Sequence, residues 1–256
     1  MIKEDIKFEN STVFEGMTSI RAIIKGLELK VNDRAIEKIL FDKSKLKKIG
    51  KEVGYLRAVS EKFGFNLIES NGDEIDKLTL GTSHGGLLAI AGERTIPYLS
   101  EKSDIIKDGF YCMIQGIEDP YNLGYSLRSL YACGCDGIIL PERNWMSAAG
   151  VVARSSAGAS EMLPMYKSDA LLCADIFHNF GYSIICADQR TDNILGKCEL
   201  KKPILLIVGG EKRGVSKELL DKTDMLVKIN YAREFHASLS AASATTMFAY
   251  EIMRQN

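Results

Sequence analysis

The sequence predicts an α/β protein whose larger part is a parallel sheet covered by helices on both faces. A smaller α/β part precedes it. Three observations carry this expectation. From residue 109 onward, short apolar runs alternate with helical patterns. Those runs are continuously apolar, as in strands buried on both faces, rather than alternating. Between about residues 12 and 97, strand and helix patterns also alternate, and they stop before a polar stretch.

In the first part, 35–41 has the alternation of a strand. Residues 45–63 place Leu46, Ile49, Val53, Leu56, Val59 and Phe63 at spacings of three and four, one apolar helix stripe. Gly64 follows as a left-handed C-cap. A strand over 65–69, a short helix over 73–80 and a strand over 87–91 complete the unit. Residues 98–107 are polar and are expected to be a linker. The domains expected are therefore 12–97 and 108–256.

The second part begins with an apolar strand over 110–115 and a helix over 123–133, with Asn122 placed to cap it. Strands follow over 137–140, 162–166, 182–187, 203–208 and 225–229. Helices are expected over 146–155, 170–180, 216–220 (capped by Ser216) and 239–254, where Ser238 is the expected cap. Ligands of such sheets bind outside the carboxyl ends of the strands.

Composition excludes several classes. Of 256 residues, 46% are hydrophobic, enough for a proper core, and 26% are charged. No apolar run is long enough to span a bilayer. The N-terminal segment Met1–Lys7 has no apolar core of a signal peptide, so a cytoplasmic protein is expected. Six cysteines form no C-x-x-C pair and suit buried, reduced thiols. The three histidines share no metal spacing with them, so no metal is expected. The net charge of −1 argues mildly against a nucleic-acid binder. Lys43, Lys45, Lys47, Lys48 and Lys51 nevertheless crowd one segment. A solvated helix face and an RNA-facing patch both remain open there, and Lys45, Lys47 and Lys48 are the candidate RNA contacts.

Three strand-to-helix junctions could carry chemistry. Gly209 and Gly214 imitate a phosphate-binding P-loop, but Val215 stands where its lysine belongs. What remains is a Gly-rich turn whose backbone a ligand can approach closely, with Glu211 as a hydrogen-bond acceptor. Asn122, Gly124 and Arg128 open a helix. Arg128, four residues after Gly124, shares its face and leans toward the helix start, a place suited to a phosphate. The third junction, Ser238-Leu239-Ser240-Ala241-Ala242-Ser243, is a run of small residues suited to close packing.

Together, over roughly residues 106–255, these segments resemble the SpoU (TrmH) family of RNA ribose 2′-O-methyltransferases in the SPOUT superfamily. Asn122, Gly124 and Arg128 match its first motif, N-x-G-x-x-x-R. Ile207 to Val215 resembles the second, a strand followed by G-x-E-x-x-G. Ile229 with Ser238-Leu239 matches the third, although Asn230 replaces its usual proline and Ser240 its usual asparagine. Ser156-Ala157-Gly158-Ala159 is similar to a stretch of the rRNA-modifying branch. Residues 12–97 are similar in pattern to that branch's ribosomal-protein-like N-terminal domain.

The resemblance implies a deep C-terminal trefoil knot, a homodimer and S-adenosylmethionine as cofactor. It implies cofactor contacts at Val208, Gly209, Gly210, Glu211, Gly214, Ile229, Ser238 and Leu239. It implies catalytic roles for Arg128, Asn122, Glu211 and Ser238. An arginine stays protonated, so Arg128 is expected as a clamp on the phosphate beside the reacting 2′-oxygen. Asn122 would hold Arg128 or the ribose, Ser238 would bond near the reacting atoms, and Glu211 would order the Gly-rich loop. The expected substrate is RNA, most simply ribosomal RNA, with no membrane and no DNA partner. A tRNA substrate, a non-catalytic RNA-binding protein with a degenerate third motif, and a nucleotide-dependent enzyme are the alternatives.

Overall fold

The computed structural model describes residues 11–79, 84–142, 148–210, 214–235 and 237–256. These form two compact units, one holding 11–95 together with 148–162, the other 96–142 and 163–256.

The first unit is a four-stranded mixed sheet. Its strands are β1 (Ser11–Glu15), β2 (Ile36–Asp42), β3 (Asn66–Ser70) and β4 (Leu87–Gly92), in the order β1-β4-β2-β3. β4 runs antiparallel to both neighbours, and β2 and β3 are parallel. The helix predicted over 45–63 is α2 (Leu46–Phe63), and Gly64 closes it with φ +72°. Helix α1 (Gly16–Glu28) and strand β1 escape the sequence reading, although Ile20, Ile23 and Ile24 of α1 are completely buried. Each such side chain contributes about 1.5–3 kcal/mol. Helix α3 (Gly72–Leu78) is capped by Asn71; residue 80, its expected end, lies outside the described residues.

Helices α4 (Pro120–Ala132), α5 (Ala149–Ser155) and α6 (Ala159–Met162) follow in the chain. Of these, α5 and α6 fold with the first unit, which the linear division at 98–107 does not anticipate. Residues 146–147, the expected start of α5, lie outside the described residues. Glu161 of α6 is buried and accepts from Arg34 Nε at 2.8 Å and Asn32 Nδ2 at 2.6 Å. Gly26 of α1 makes room for α6, because a Cβ there would stand 2.0 Å from the Glu161 carbonyl oxygen. The Ser156–Ala159 stretch is the turn between α5 and α6.

The second unit is a six-stranded, wholly parallel sheet, as the apolar runs require. Its strands are β5 (Phe110–Gln115), β6 (Gly137–Leu140), β7 (Met165–Lys167), β8 (Ser183–Ala187), β9 (Ile204–Gly209) and β10 (Met225–Val227). Their order is β10-β8-β9-β5-β6-β7. On one face, Tyr111, Met113, Ile139, Leu205 and Ile207 pack with Cys173, Ala174 and Phe177 of α7 (Ala170–Asn179) and Leu219 of α8 (Lys217–Leu220). The opposite parity, Phe110, Cys112, Ile114 and Leu206, is equally buried. Helix α9 (Ala241–Gln255) packs against α4 and β9.

The expected linker is bound into this unit. Leu99 is buried and its N–H donates to the Lys167 carbonyl at 2.8 Å, extending the β7 edge. The Ile106 N–H donates to Tyr111 Oη, and Tyr182 Oη donates to the Ile106 carbonyl. No helix among the described residues is long and apolar enough to cross a membrane.

Candidate active site

Two expected caps shift, and both shifts bear on the site. Asp119, not Asn122, caps α4: its carboxylate accepts from the N–H groups of Tyr121 and Asn122, with Pro120 in the first turn. An aspartate before a proline satisfies both preferences of a helix start, and Asn122 moves inside the helix. Ser240, not Ser238, caps α9 by accepting the Ser243 N–H at 3.1 Å. Ser238 stands exposed before the helix.

A cleft of about 280 Å³ opens at the carboxyl ends of the neighbouring strands β10, β8 and β9. The second predicted segment supplies Val208, Gly209, Gly210 and Gly214, and the third supplies Ile229, Ser238 and Leu239. Every described cofactor-site residue predicted from the sequence lines this one space. Glu211 lies outside the described residues. Asn122 and Arg128 do not line the cleft. Arg128 is exposed and has no ion-pair partner among the described residues.

The glycines shape the floor by what they lack. A Cβ on Gly210 would stand 2.1 Å from the Gly116 carbonyl oxygen, so the turn after β9 and the turn after β5 touch backbone to backbone. Gly214 has φ +61° and donates its N–H to the Gly210 carbonyl at 3.0 Å, closing the turn. Val215, Val227 and Phe248 add apolar walls. This is a narrow space with an open backbone floor and a polar rim, suited to a flat ring with hydrogen-bonding edges.

The end of β8 is a wall that the sequence reading missed. Ala187, Asp188, Gln189 and Arg190 line the cleft. Asp188 donates its N–H to the Val227 carbonyl at 3.0 Å. Its carboxylate accepts a fork from Arg190, Nε at 2.9 Å and Nη2 at 2.7 Å. That fork holds the carboxyl below the ordinary value, so Asp188 stays ionised and is a weak base. The signal was available: a polar Asp-Gln-Arg follows the apolar run 182–187, at a fourth carboxyl strand end. Neighbouring Cys186 is a buried thiol pushed to about 12 by desolvation, which rules it out as a nucleophile at neutral pH.

The candidate RNA-facing lysines begin α2. Lys43 pairs with Glu69 at 2.6 Å and Lys45 with Asp42 at 3.5 Å. Lys47 and Lys48 are exposed, with no ion pair among the described residues.

The chain is similar to several known proteins. Residues 109–250 match the model of the SpoU rRNA Methylase family. A protein assigned to the TrmH family of tRNA/rRNA methyltransferases in Staphylococcus haemolyticus is 31% identical over 144 residues, 56% of this chain. The match spans 57% of that relative's length. The 23S rRNA (guanosine-2′-O-)-methyltransferase RlmB of Shewanella oneidensis is 28% identical over 200 residues, 75% of this chain and 80% of that one. The crystal structure of an AdoMet-bound rRNA methyltransferase from Sinorhizobium meliloti shares the fold, with a TM-score of 0.77 at 22% identity over 96% of this chain and 88% of that one. Over more than half its length the chain matches one family model, and it belongs to the SpoU rRNA methylase family.

Proposed function

We propose that this chain transfers a methyl group from S-adenosylmethionine to a ribose 2′-hydroxyl of RNA, with ribosomal RNA as the substrate. The observation that carries the proposal is the cleft itself. It gathers the described residues of two family motifs at the carboxyl ends of adjacent parallel strands. The relative named for 2′-O-methylation of 23S rRNA supports the substrate class.

The residues present fit the cofactor. The Gly209–Gly210 floor admits a flat base against the backbone, and Val208, Val227, Ile229 and Leu239 supply apolar contact. The bound cofactor supplies an electrophilic methyl on a sulfonium, so the protein's work is chiefly positioning. Arg128 clamps the phosphate beside the target ribose and aims the 2′-oxygen. Asn122 steadies Arg128 or the ribose. Ser238, exposed on the cleft wall, bonds near the reacting atoms, and Glu211 orders the Gly-rich loop. Asp188 is held ionised by Arg190 and serves the cleft as a fixed acceptor.

The place of Ser240 supports an intact fold for the third motif. It occupies the N-cap of α9, where serine and asparagine are equivalent in capping strength. The contact of α9 with both α4 and β9, and the touching turns at Gly116 and Gly210, support the trefoil crossing. Met247, Tyr250 and Met253 form an exposed stripe on α9, which supports a homodimer through this helix. Lys47 and Lys48 support an RNA-binding role for the first domain.

The test is transfer of labelled methyl from S-adenosylmethionine to ribosomal RNA lacking the modification, with the product mapped to a ribose. Arg128→Ala is expected to abolish transfer while cofactor affinity, measured by calorimetry, survives. Near-normal turnover of that variant would remove Arg128 from the mechanism. Transfer to tRNA alone would move the substrate class.

A further inference from the structure

The loop after Ile229 carries a second recess, of about 530 Å³, which shares Ile229, Tyr231 and Leu239 with the cleft. Phe235 forms one wall and is 53% exposed. Its ring stands at 68° to that of Tyr231, with centroids 5.8 Å apart. Tyr231 is fixed in turn, because its hydroxyl accepts the Leu239 N–H at 3.2 Å. Arg233, between the two rings in sequence, also lines the recess and is exposed, with no ion pair among the described residues.

We propose that this recess receives the base of the nucleotide being methylated, stacked on Phe235, with Arg233 against an adjoining phosphate. The proposal rests on the methyltransferase reading above. The 2′-oxygen sits on C2′, and the base sits on the neighbouring carbon, C1′. A nucleoside that offers its 2′-oxygen to the cleft must therefore lay its base on a surface adjoining the cleft. The recess is such a surface, and Phe235 gives it an exposed aromatic face. Single-stranded RNA is recognised in this way, by splayed bases stacked on aromatic rings with arginine nearby. A second copy of the chain is the competing occupant, because Met247 lines the recess and begins the exposed stripe of α9. The shared wall favours the base: it lies at the N-terminal end of α9, whereas the stripe continues toward the C-terminal end.

The experiment compares the full-length protein with Phe235→Ala and Phe235→Trp. Three quantities are measured: S-adenosylmethionine affinity, KM and kcat for methyl transfer to unmethylated ribosomal RNA, and molecular mass by sedimentation. Loss of one base stack weakens RNA binding by about 5- to 150-fold. Phe235→Ala should therefore raise KM for RNA within that range, leave cofactor affinity and mass unchanged, and be rescued by Phe235→Trp. An unchanged KM would overturn the proposal. So would a loss of dimer mass in Phe235→Ala, which would assign the recess to a second copy. If the unaltered protein transfers no methyl group, the methyltransferase reading fails separately. Equilibrium binding of the same RNA to the three proteins then decides the recess by the same margins.

Discussion

Replacing Gly210 with alanine tests the floor of the cleft directly. The residue's φ lies outside the left-handed region, so alanine carries no backbone penalty there. The difficulty is steric. The new Cβ would start 2.1 Å from the Gly116 carbonyl oxygen and 2.5 Å from its carbon, whereas real Cβ contacts are essentially never under 3.0 Å. The two turns must part by about 0.9 Å, the step from 2.1 to 3.0 Å. Neither side is a flexible side chain. One turn follows β5 and the other β9, and those strands are paired up to Gln115 and Gly209. The expected cost is near the top of the ~1–3 kcal/mol range for overpacking, a fall of several degrees in melting temperature. On the proposed methyltransferase reading, a displacement near 1 Å in the cleft is expected to lower turnover by roughly 100-fold. Gly214→Ala is the matched control. Among the described residues nothing lies within 4 Å of its Cβ, but φ is +61°, so it loses about 1–2 kcal/mol through conformation. Thermal unfolding and calorimetric titration with S-adenosylmethionine measure both effects. A Gly210→Ala protein that melts and binds as the parent does would refute the contact between the turns.

Three further outcomes follow from the same reasoning. Gly54→Ala fills open space on the exposed side of α2 and should stabilise by about 0.5–1 kcal/mol in urea unfolding; a loss of stability would contradict the helix assignment. Glu161→Gln leaves Arg34 and the neighbouring Arg94 buried without their shared counterion and should cost about 3–5 kcal/mol in urea unfolding; an unchanged stability would show that charge is not what holds α6 here. Hydrogen bonds from Arg254, then Gln255, hold the Glu251 carboxyl down to about 2, against an ordinary 4.5. A depressed acid contributes stability that is present above 4.5 and lost as pH falls through 2, so acid unfolding curves of the parent and Glu251→Gln should converge toward pH 2, and a constant gap would sink the assignment.

The parallel sheet was legible because strands buried on both faces have no polar positions to confuse them. Phe110–Gln115 and Ile204–Gly209 show this, and their ends fell within a residue of expectation. The cleft was legible where a motif marked it, at Gly209, Gly214 and Ser238. Caps were harder. Asp119 and Asn122 are both good caps, as are Ser238 and Ser240, and the choice depends on which backbone turns first. Helix α1 has the periodicity of Met17, Ile20, Ile24 and Leu27, but no cap residue announces it: Glu15, at its N-cap, makes no side-chain capping bond. The wall at Asp188 was missed because it carries no motif, only its position at a strand end.

Domain membership is the part that linear reading handles worst. A polar stretch near residue 100 looks like a boundary because composition changes there. Yet Leu99 is buried and hydrogen-bonded at the edge of β7, while α5 and α6, some fifty residues later, fold with the first unit. The side chains that decide this are Arg34 and Glu161, 127 residues apart and joined by a buried ion pair. Their pairing leaves no pattern in the local sequence, and a buried charge without its counterion costs several kcal/mol. Cutting the chain near residue 97 would therefore strand Glu161 and uncover Ala149 and Ala153, which belong to the core of the first unit. The physical boundary is set by those contacts and not by the polar stretch.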